Sequence, residues 1–160
     1  MRINLEEEAI MNQVELTVDG SAIGNPGPGG WCCILRCGDA ERVLTGSHAD
    51  TTNNRMELTA AIQGLRALTK KSLVKVMTDS QYVVRGMTQW AAGWKANGWI
   101  AASRRPVLNR DLWEELVDLA GQHEVQWVWI QGHNPHNKDQ DRADRLAVAA
   151  ARQRATGVHN

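Results

Sequence analysis

The sequence predicts an α/β fold, with a mixed sheet and helices on its faces. Three short strand-like segments come first, between residues 14 and 48, and later strands then alternate with helical segments. At 160 residues, the chain has the length expected for one domain with one sizeable core.

The first three strands follow one another closely. Apolar and polar residues alternate from 14 to 19, which is the two-residue period of a strand. Segments 31–36 and 41–48 predict two more strands, joined by a turn near Gly38.

Strand and helix alternate in the rest of the chain. Apolar residues recur at helical spacing from 58 to 68, and a short strand over 73–78 ends at Asp79. Helical segments are expected at about 80–86 and 88–96, and again over 110–120.

The last two elements are a strand and a helix. The apolar run VQWVWI at 125–130 suits a buried strand, in which Trp127 and Trp129 belong to the core. A helix is expected from about 140 to 153. Three residues share one side of this helix: Leu146, Ala150 and Gln153.

Composition excludes several classes of protein. Hydrophobic residues make up 42% and charged residues 22%, unlike a disordered chain, a collagen or a coiled coil. No apolar run reaches the length of a membrane span. The formal net charge of zero neither favours nor disfavours a polyanionic partner.

Two features predict a cytoplasmic protein. Glutamates stand in MRINLEEEAIMNQ where a signal peptide would carry its apolar stretch. Cys32, Cys33 and Cys37 are clustered without the spacing of a disulfide framework, so reduced thiols are expected.

Four acidic residues occupy positions that suggest a shared site. Asp19 and Asp79 each follow a predicted strand, at the edge where open α/β sheets bind ligands. Glu57 lies one turn into a helix that begins with TTNNR, and Asp144 lies early in the last helix. If the two aspartate-bearing strands are neighbours, Asp19 and Asp79 lie side by side.

Four converging carboxylates would repel one another unless a cation bound them. Ligands that are all oxygens favour Mg²⁺ or Mn²⁺ over zinc. Carboxylates that hold two Mg²⁺ ions about 3.5–4 Å apart are the usual arrangement for phosphodiester cleavage. Taken singly, Asp79 could instead cap the following helix, and Asp144 could pair with Arg142 and Arg145.

A series of motifs resembles the type 1 ribonucleases H, especially the bacterial enzymes that carry a basic handle. The motifs, in order, are VELTVDGSAIGNPGPGGW, TTNNRMELTAAIQGL, TDSQYV, GMTQWAAGWKANGW, LWEEL, and WIQGHNPH followed by DRADRLA. The resemblance implies a ribonuclease H-like fold, with a five-stranded mixed sheet and helices on both faces. It also implies metal-dependent endonucleolytic cleavage of the RNA strand of RNA–DNA hybrids, leaving 5′-phosphate and 3′-hydroxyl ends.

The resemblance further implies the cofactor and the domain boundaries. Two Mg²⁺ ions in the substrate complex, with Mn²⁺ as a possible substitute, would be held by Asp19, Glu57, Asp79 and Asp144. The catalytic domain is expected over 13–153, with a handle at about 88–106. Residues 1–12 would form a flexible extension and 154–160 a tail, and a monomer is expected.

Hybrid-binding residues are implied in the same way. Loop groups from Ala22 to Asn25 would contact the hybrid, with Asn25, Asn54 and Gln81 touching bases and sugars. Thr52 and Asn53, at a helix N-terminus, would hold a DNA-strand phosphate. Helix capping is an alternative role for this helix start. A tight structural turn is an alternative for the glycine-rich loop, GSAIGNPGPGG at 20–30.

The handle and a loop histidine complete the implied site. His133 matches the family's mobile histidine and suits proton handling, with His136 as its rival. The handle residues expected to grip the DNA strand are Trp90, Trp94, Lys95, Trp99, Arg104 and Arg105. The tryptophans could instead be core residues, Trp90 above all.

Three alternative interpretations of the sequence remain. A transposase, integrase or junction resolvase would share acidic clusters but lack TTNNRMEL and the handle. A non-catalytic hybrid-binding module would lack one of the four carboxylates. A domain of a reverse transcriptase is the third.

Overall fold

The computed structural model describes residues 12–157. Of the predicted extension at 1–12, residues 1–11 lie outside the described residues, and Asn12 begins the first strand. Of the predicted tail at 154–160, the first two residues belong to the last helix, and 158–160 lie outside the described residues.

The described residues contain five strands and five α-helices. The strands are β1 (Asn12–Ala22), β2 (Gly27–Cys37), β3 (Ala40–Thr51), β4 (Ser72–Thr78) and β5 (Glu124–Trp129). The helices are α1 (Asn53–Arg66), α2 (Gln81–Arg85), α3 (Ala91–Ala96), α4 (Arg110–Ala120) and α5 (Lys138–Ala155). One π-helical turn, Gly86–Trp90, joins α2 to α3. None of the helices described is both long and apolar enough to cross a membrane.

The strands form one mixed sheet in the order β3-β2-β1-β4-β5. The pairs β1–β2 and β2–β3 are antiparallel, whereas β1–β4 and β4–β5 are parallel. Thr17 is level with Met77 across the parallel pair, so two residues further on Asp19 and Asp79 reach the same edge. The predicted α/β fold with a mixed sheet is therefore confirmed.

Alternate residues of β2 face the two sides of the sheet, and each side packs on helices. Cys33 and Leu35 belong to the main core, which also contains residues of α1 and α4, whereas Cys32 and Ile34 pack with alanines of α5. Only glycine fits at position 64 of α1, because a Cβ there would lie 2.5 Å from the side chain of Leu16.

The buried face of the last helix consists mostly of small side chains. The residues of α5 that are buried are Gln140, Ala143, Ala147 and Ala151. At Gly30 a Cβ would lie 2.3 Å from the carbonyl oxygen of Ala147, so the helix sits too close to β2 for larger side chains. Leu146 therefore lies at the margin, and Gln153 is exposed.

The strand predicted at 125–130 is present as β5, but the prediction that it is buried was wrong. β5 is an edge strand with β4 as its neighbour, and α5 packs over β1, β2 and β3. Trp127 is partly buried against the core, but Trp129 is 46% exposed. The apolar character of the segment alone did not reveal that this strand lies at the edge of the sheet.

Candidate active site

Three of the four predicted carboxylates meet at the edge where β1 and β4 end. One carboxylate oxygen from each of Asp19, Glu57 and Asp79 lies within 4.8 Å of the others. Asp19 is 3% exposed and Glu57 is 8% exposed, so two of the three lie inside the protein. Asp19 and Asp79 thus meet at the strand ends as expected, and Glu57 reaches them from α1.

Glu57 reaches Asp19 because α1 passes very close to β1. A Cβ at Gly20 would lie 2.3 Å from the main-chain carbon of Met56 and 2.4 Å from the nitrogen of Glu57, so only glycine fits there. The amide of Gly20 also donates a hydrogen bond to Oδ1 of Asp19 at 3.0 Å.

Asp79 stands in the turn between β4 and α2, where its side chain is free of a capping role. Ser80 caps α2 instead, since its Oγ accepts a hydrogen bond from the amide of Val83 at 3.2 Å. A Cβ at Gly132 would lie 2.6 Å from Oδ2 of Asp79, so the chain after β5 passes directly against this carboxylate.

Asp144 lies beside the trio, on the second turn of α5. Its Oδ2 is 4.0 Å from Nδ1 of His133, and its side chain is one-third exposed. It is not paired with the arginines considered above, because Arg142 contacts Glu41 and Arg145 contacts Asp141. His136 is exposed in the same loop, and its amide donates to Oδ1 of Asn134 at 3.0 Å.

The carboxylates carry raised pKa values because they are buried together. Burial raises the pKa of Asp19 to about 8, and the negative charge of Asp79 adds to that rise. Burial, followed by the charge of Asp19, raises the pKa of Glu57 well above its usual value. Burial raises the pKa of Asp79 also, and the charge of Asp144 contributes.

The buried carboxylates form a site that fits a divalent cation. Oε2 of Glu57 is buried, and no hydrogen-bond partner for it is present among the residues that the structure describes. The trio offers only carboxylate oxygens, which are the ligands that Mg²⁺ and Mn²⁺ prefer. A cation bound there would satisfy Oε2 and lower the pKa values.

The glycine-rich loop and the start of α1 are tied together by side chains that the sequence assigned to the hybrid. Oδ1 of Asn53 accepts from the amide of Ala22 at 2.7 Å, and the amide of Asn53 donates to Oδ1 of Asn25 at 2.9 Å. Thr52 caps α1 by accepting from the amide of Arg55 at 3.2 Å. Capping and turn formation are thus observed, while contact with a hybrid stays a prediction.

Asn54 and Gln81 are exposed at the starts of α1 and α2. Both helices start next to a carboxylate of the trio, Glu57 in the first and Asp79 before the second. These two side chains therefore lie on the same side of the protein as the acidic site.

The handle segment is a connected set of aromatic rings and carries exposed cations. Ring centroids lie 5.8 Å apart for Trp90 and Trp94 and 6.5 Å apart for Trp94 and Trp99. Trp94 and Trp99 pack against the core, whereas Trp90 is 37% exposed. The alternative that Trp90 above all is a core residue was wrong. The exposed cations are Lys95, Arg104 and Arg105.

Two contacts near the site were missed from the sequence. The indole Nε1 of Trp129 donates to the main-chain oxygen of Asp79 at 3.0 Å. Arg55 forms a two-pronged ion pair with Asp111, which ties the start of α1 to α4. The motif TTNNR identified Arg55 as part of a helix start. Its partner Asp111 lies 56 residues away in the chain, so the sequence near Arg55 gives no indication of the pair.

Comparison with known proteins identifies the same family. The family model for RNase H matches residues 11–152. A curated Ribonuclease H of Solibacter usitatus (strain Ellin6076) is 50% identical over 145 residues, covering 91% of this chain and 99% of the relative.

Solved structures agree with the sequence comparison. LC9-RNase H1, described as a type 1 RNase H with the type 2 active-site motif, superposes with a TM-score of 0.80 at 32% identity. The match covers 90% of this chain and 74% of that one. LC11-RNase H1, solved in complex with an RNA/DNA hybrid, shares the fold with a TM-score of 0.64 at 21% identity over 88% and 97% of the two chains. The acidic edge of the sheet, the matching family model and the half-identical relative together show that this chain belongs to the ribonuclease H family.

Proposed function

We propose that the protein is an endonuclease that hydrolyses the RNA strand of RNA–DNA hybrids and leaves 5′-phosphate and 3′-hydroxyl ends. The observation that carries this proposal is the convergence of Asp19, Glu57 and Asp79 within 4.8 Å. Membership of the family supports it, as does the relative LC11-RNase H1, whose structure contains an RNA/DNA hybrid.

The four carboxylates would hold two Mg²⁺ ions, for which Mn²⁺ could substitute. Bound divalent cations lower the pKa of an attacking water and neutralise charge on the departing oxygen of a phosphodiester. Asp19 and Glu57 are fixed by the sheet and by α1, and Asp79 by the turn after β4, so the chain presents a preformed set of oxygens. Asp144 completes the set from α5.

His133 would move protons at the exposed side of the site. Its Nδ1 lies 4.0 Å from Oδ2 of Asp144, and its imidazole is largely exposed, so it can exchange protons with water. His133 has a φ of 55° in the loop before α5, which is a conformation that few residues other than glycine adopt.

The hybrid would lie across the acidic edge and reach the handle. Main-chain groups of the loop from Ala22 to Asn25 can approach a minor groove, where RNA displays its 2′-hydroxyls. Asn54 and Gln81 would contact bases and sugars, and Thr52 and Asn53 a DNA-strand phosphate. The exposed cations of the handle would bind further phosphates, with Trp90 packing on a sugar.

A monomer in a reducing compartment fits this arrangement. One chain supplies all four carboxylates, so activity does not need a second copy. Its three cysteines are free thiols, of which two are buried, as is usual for a cytoplasmic protein.

Cleavage of a labelled RNA–DNA hybrid tests the proposal. We expect hydrolysis of the RNA strand with Mg²⁺ and none after chelation, and no cleavage of single-stranded RNA, duplex RNA or duplex DNA. Asp79→Asn should abolish hydrolysis while hybrid binding persists, whereas Asp39→Asn in the exposed β2–β3 turn should not change the rate. Full turnover by Asp79→Asn, or equal cleavage of duplex DNA, would refute the proposal.

A further inference from the structure

The indole of Trp129 reaches from the edge strand β5 to the main chain of Asp79. Its Nε1 donates a hydrogen bond to the carbonyl oxygen of Asp79 at 3.0 Å. The ring is 46% exposed, so it gains less from burial than the fully buried Trp113 does. The hydrogen bond is therefore a contribution of this side chain that is separate from its packing.

The bond holds the chain where β4 becomes α2. The pairing of β4 with the chain after β5 ends with the amide of Ile130 donating to the oxygen of Thr78 at 2.9 Å. On the other side of Asp79, the amide of Ser80 donates to Oγ1 of Thr78 at 3.0 Å. Trp129 fixes the carbonyl between these two points, and with it the direction in which the Asp79 side chain leaves the backbone.

The chain that follows Trp129 also restricts the space available to the carboxylate of Asp79. Gly132 comes three residues after Trp129, and a Cβ there would lie 2.6 Å from Oδ2 of Asp79. One stretch of chain, from Trp129 to Gly132, therefore contacts both the backbone and the side chain of Asp79.

We propose that Trp129 is a positioning residue, which holds the Asp79 carboxylate in the orientation that binds a divalent cation. The inference rests on the proposed function in one respect, namely that Asp79 is a metal ligand. Groups that orient metal ligands typically change metal affinity or activity by about 10–100-fold when they are removed.

Three variants separate the hydrogen bond from the packing of the ring. Trp129→Phe removes the donor and keeps an aromatic ring. Replacement of Trp129 by β-(3-benzothienyl)alanine keeps the shape of the indole but has sulfur in place of N–H. Trp127→Phe is the matched control, because it makes the same change two residues earlier on the same strand, level with Val76 rather than with the end of β4.

Mg²⁺ binding without substrate gives the first measurement. By calorimetry we expect both Trp129 variants to bind Mg²⁺ about tenfold more weakly than the wild type and the Trp127→Phe control. In hybrid cleavage, kcat at a fixed low Mg²⁺ concentration should fall while KM for the hybrid stays constant. Thermal unfolding of each variant establishes that it is folded.

The NMR signals of the indole N–H groups give a second measurement that does not depend on activity. The chain contains seven tryptophans, and the indole N–H signal that disappears from the spectrum of Trp129→Phe belongs to Trp129. That signal should shift when Mg²⁺ is added to the wild type. Unchanged Mg²⁺ affinity in the benzothienylalanine variant would overturn the positioning role. A wild type that binds Mg²⁺ but leaves hybrids intact would refute the proposed function instead.

Discussion

Asn53 and Asn25 join the first turn of α1 to the glycine-rich loop through a hydrogen bond of 2.9 Å from the amide of Asn53 to Oδ1 of Asn25. Oδ1 of Asn53 accepts in return from the amide of Ala22 at 2.7 Å. The two parts of the expected hybrid surface therefore form one preformed unit, and ordering them would cost little when a hybrid binds.

Substitution of Asn53 tests whether it also contacts a phosphate. Asn53→Ala should lower the free energy of unfolding by about 0.5–1.5 kcal/mol, because the hydrogen bond to Ala22 is lost. Asn53→Asp keeps an acceptor oxygen, so its stability in urea unfolding should be close to that of the wild type. Its negative charge should nevertheless raise KM for the hybrid several-fold, and an unchanged KM would exclude the phosphate contact.

The two loop histidines differ in their distance from the acidic site. His133 faces Asp144 at 4.0 Å, whereas no contact to a carboxylate of the site is seen for His136 among residues 12–157. We expect His133→Ala to lower kcat about 10²-fold, within the range for a positioned proton-transfer group, and His136→Ala to change it less than twofold. The reverse order, measured in single-turnover cleavage, would assign the role to His136.

Stability of the metal-free protein should fall as pH rises from 5 to 8. The folded-state pKa of Asp19 is about 8, above the value of 3.8 for a free side chain, so the folded state binds the extra proton in this window. Stability from that proton is fully present below about pH 4 and is lost as pH rises through 8, at about 1.4 kcal/mol per pH unit at most.

Urea unfolding at pH 5 and pH 8 measures this effect. Asp111 and Asp139 have pKa values lowered by their arginine partners, so their contributions are lost only at more acidic pH. Asp19→Asn should flatten the pH dependence and stabilise the metal-free protein at pH 8. Added Mg²⁺ should raise the stability of the wild-type protein at pH 8 towards its value at pH 5. If the metal-free wild type were equally stable at both pH values, the raised pKa of Asp19 would be contradicted.

The exposed handle arginines should determine much of the salt dependence of hybrid binding. Each phosphate contact contributes about 0.9 to the slope of log K against log salt for B-form DNA. Arg104→Ala/Arg105→Ala should therefore reduce that slope by up to two such contributions, without changing kcat at saturating hybrid. Arg42→Ala/Arg152→Ala removes the same charge at two other exposed positions and should leave the slope close to the wild-type value.

The succession of strands and helices along the chain could be predicted because its signals are local, and the meeting of Asp19 and Asp79 followed once their strands were taken as neighbours. Asp19 and Asp79 each come directly after an apolar strand, and parallel pairing of neighbouring strands brings such residues together. Asp144 was chosen by its place early in the last helix and by the family motifs, since nothing near it in the chain shows where α5 will pack.

The remaining features depend on which surface each element meets. Trp129 looks like a core residue by hydrophobicity, but β5 lies at the edge of the sheet, and the indole is used for a hydrogen bond. Alanines form the buried side of α5 because Gly30 lets the helix approach β2, and this contact exists only in the folded chain. Trp94 and Trp99 pack on the core through the aromatic set around Trp113, which only the fold assembles.

The accessibility of the three cysteines gives the native chain a built-in attachment point for a reporter dye. Burial raises the pKa of the Cys32 and Cys33 thiols to about 12, which leaves almost no reactive thiolate at neutral pH. Cys37 is exposed at the far end of β2, five residues beyond the partner of Asp19. A maleimide fluorophore should therefore label the unmodified protein once, away from the acidic edge, and allow its encounter with a quencher-tagged heteroduplex to be followed in real time.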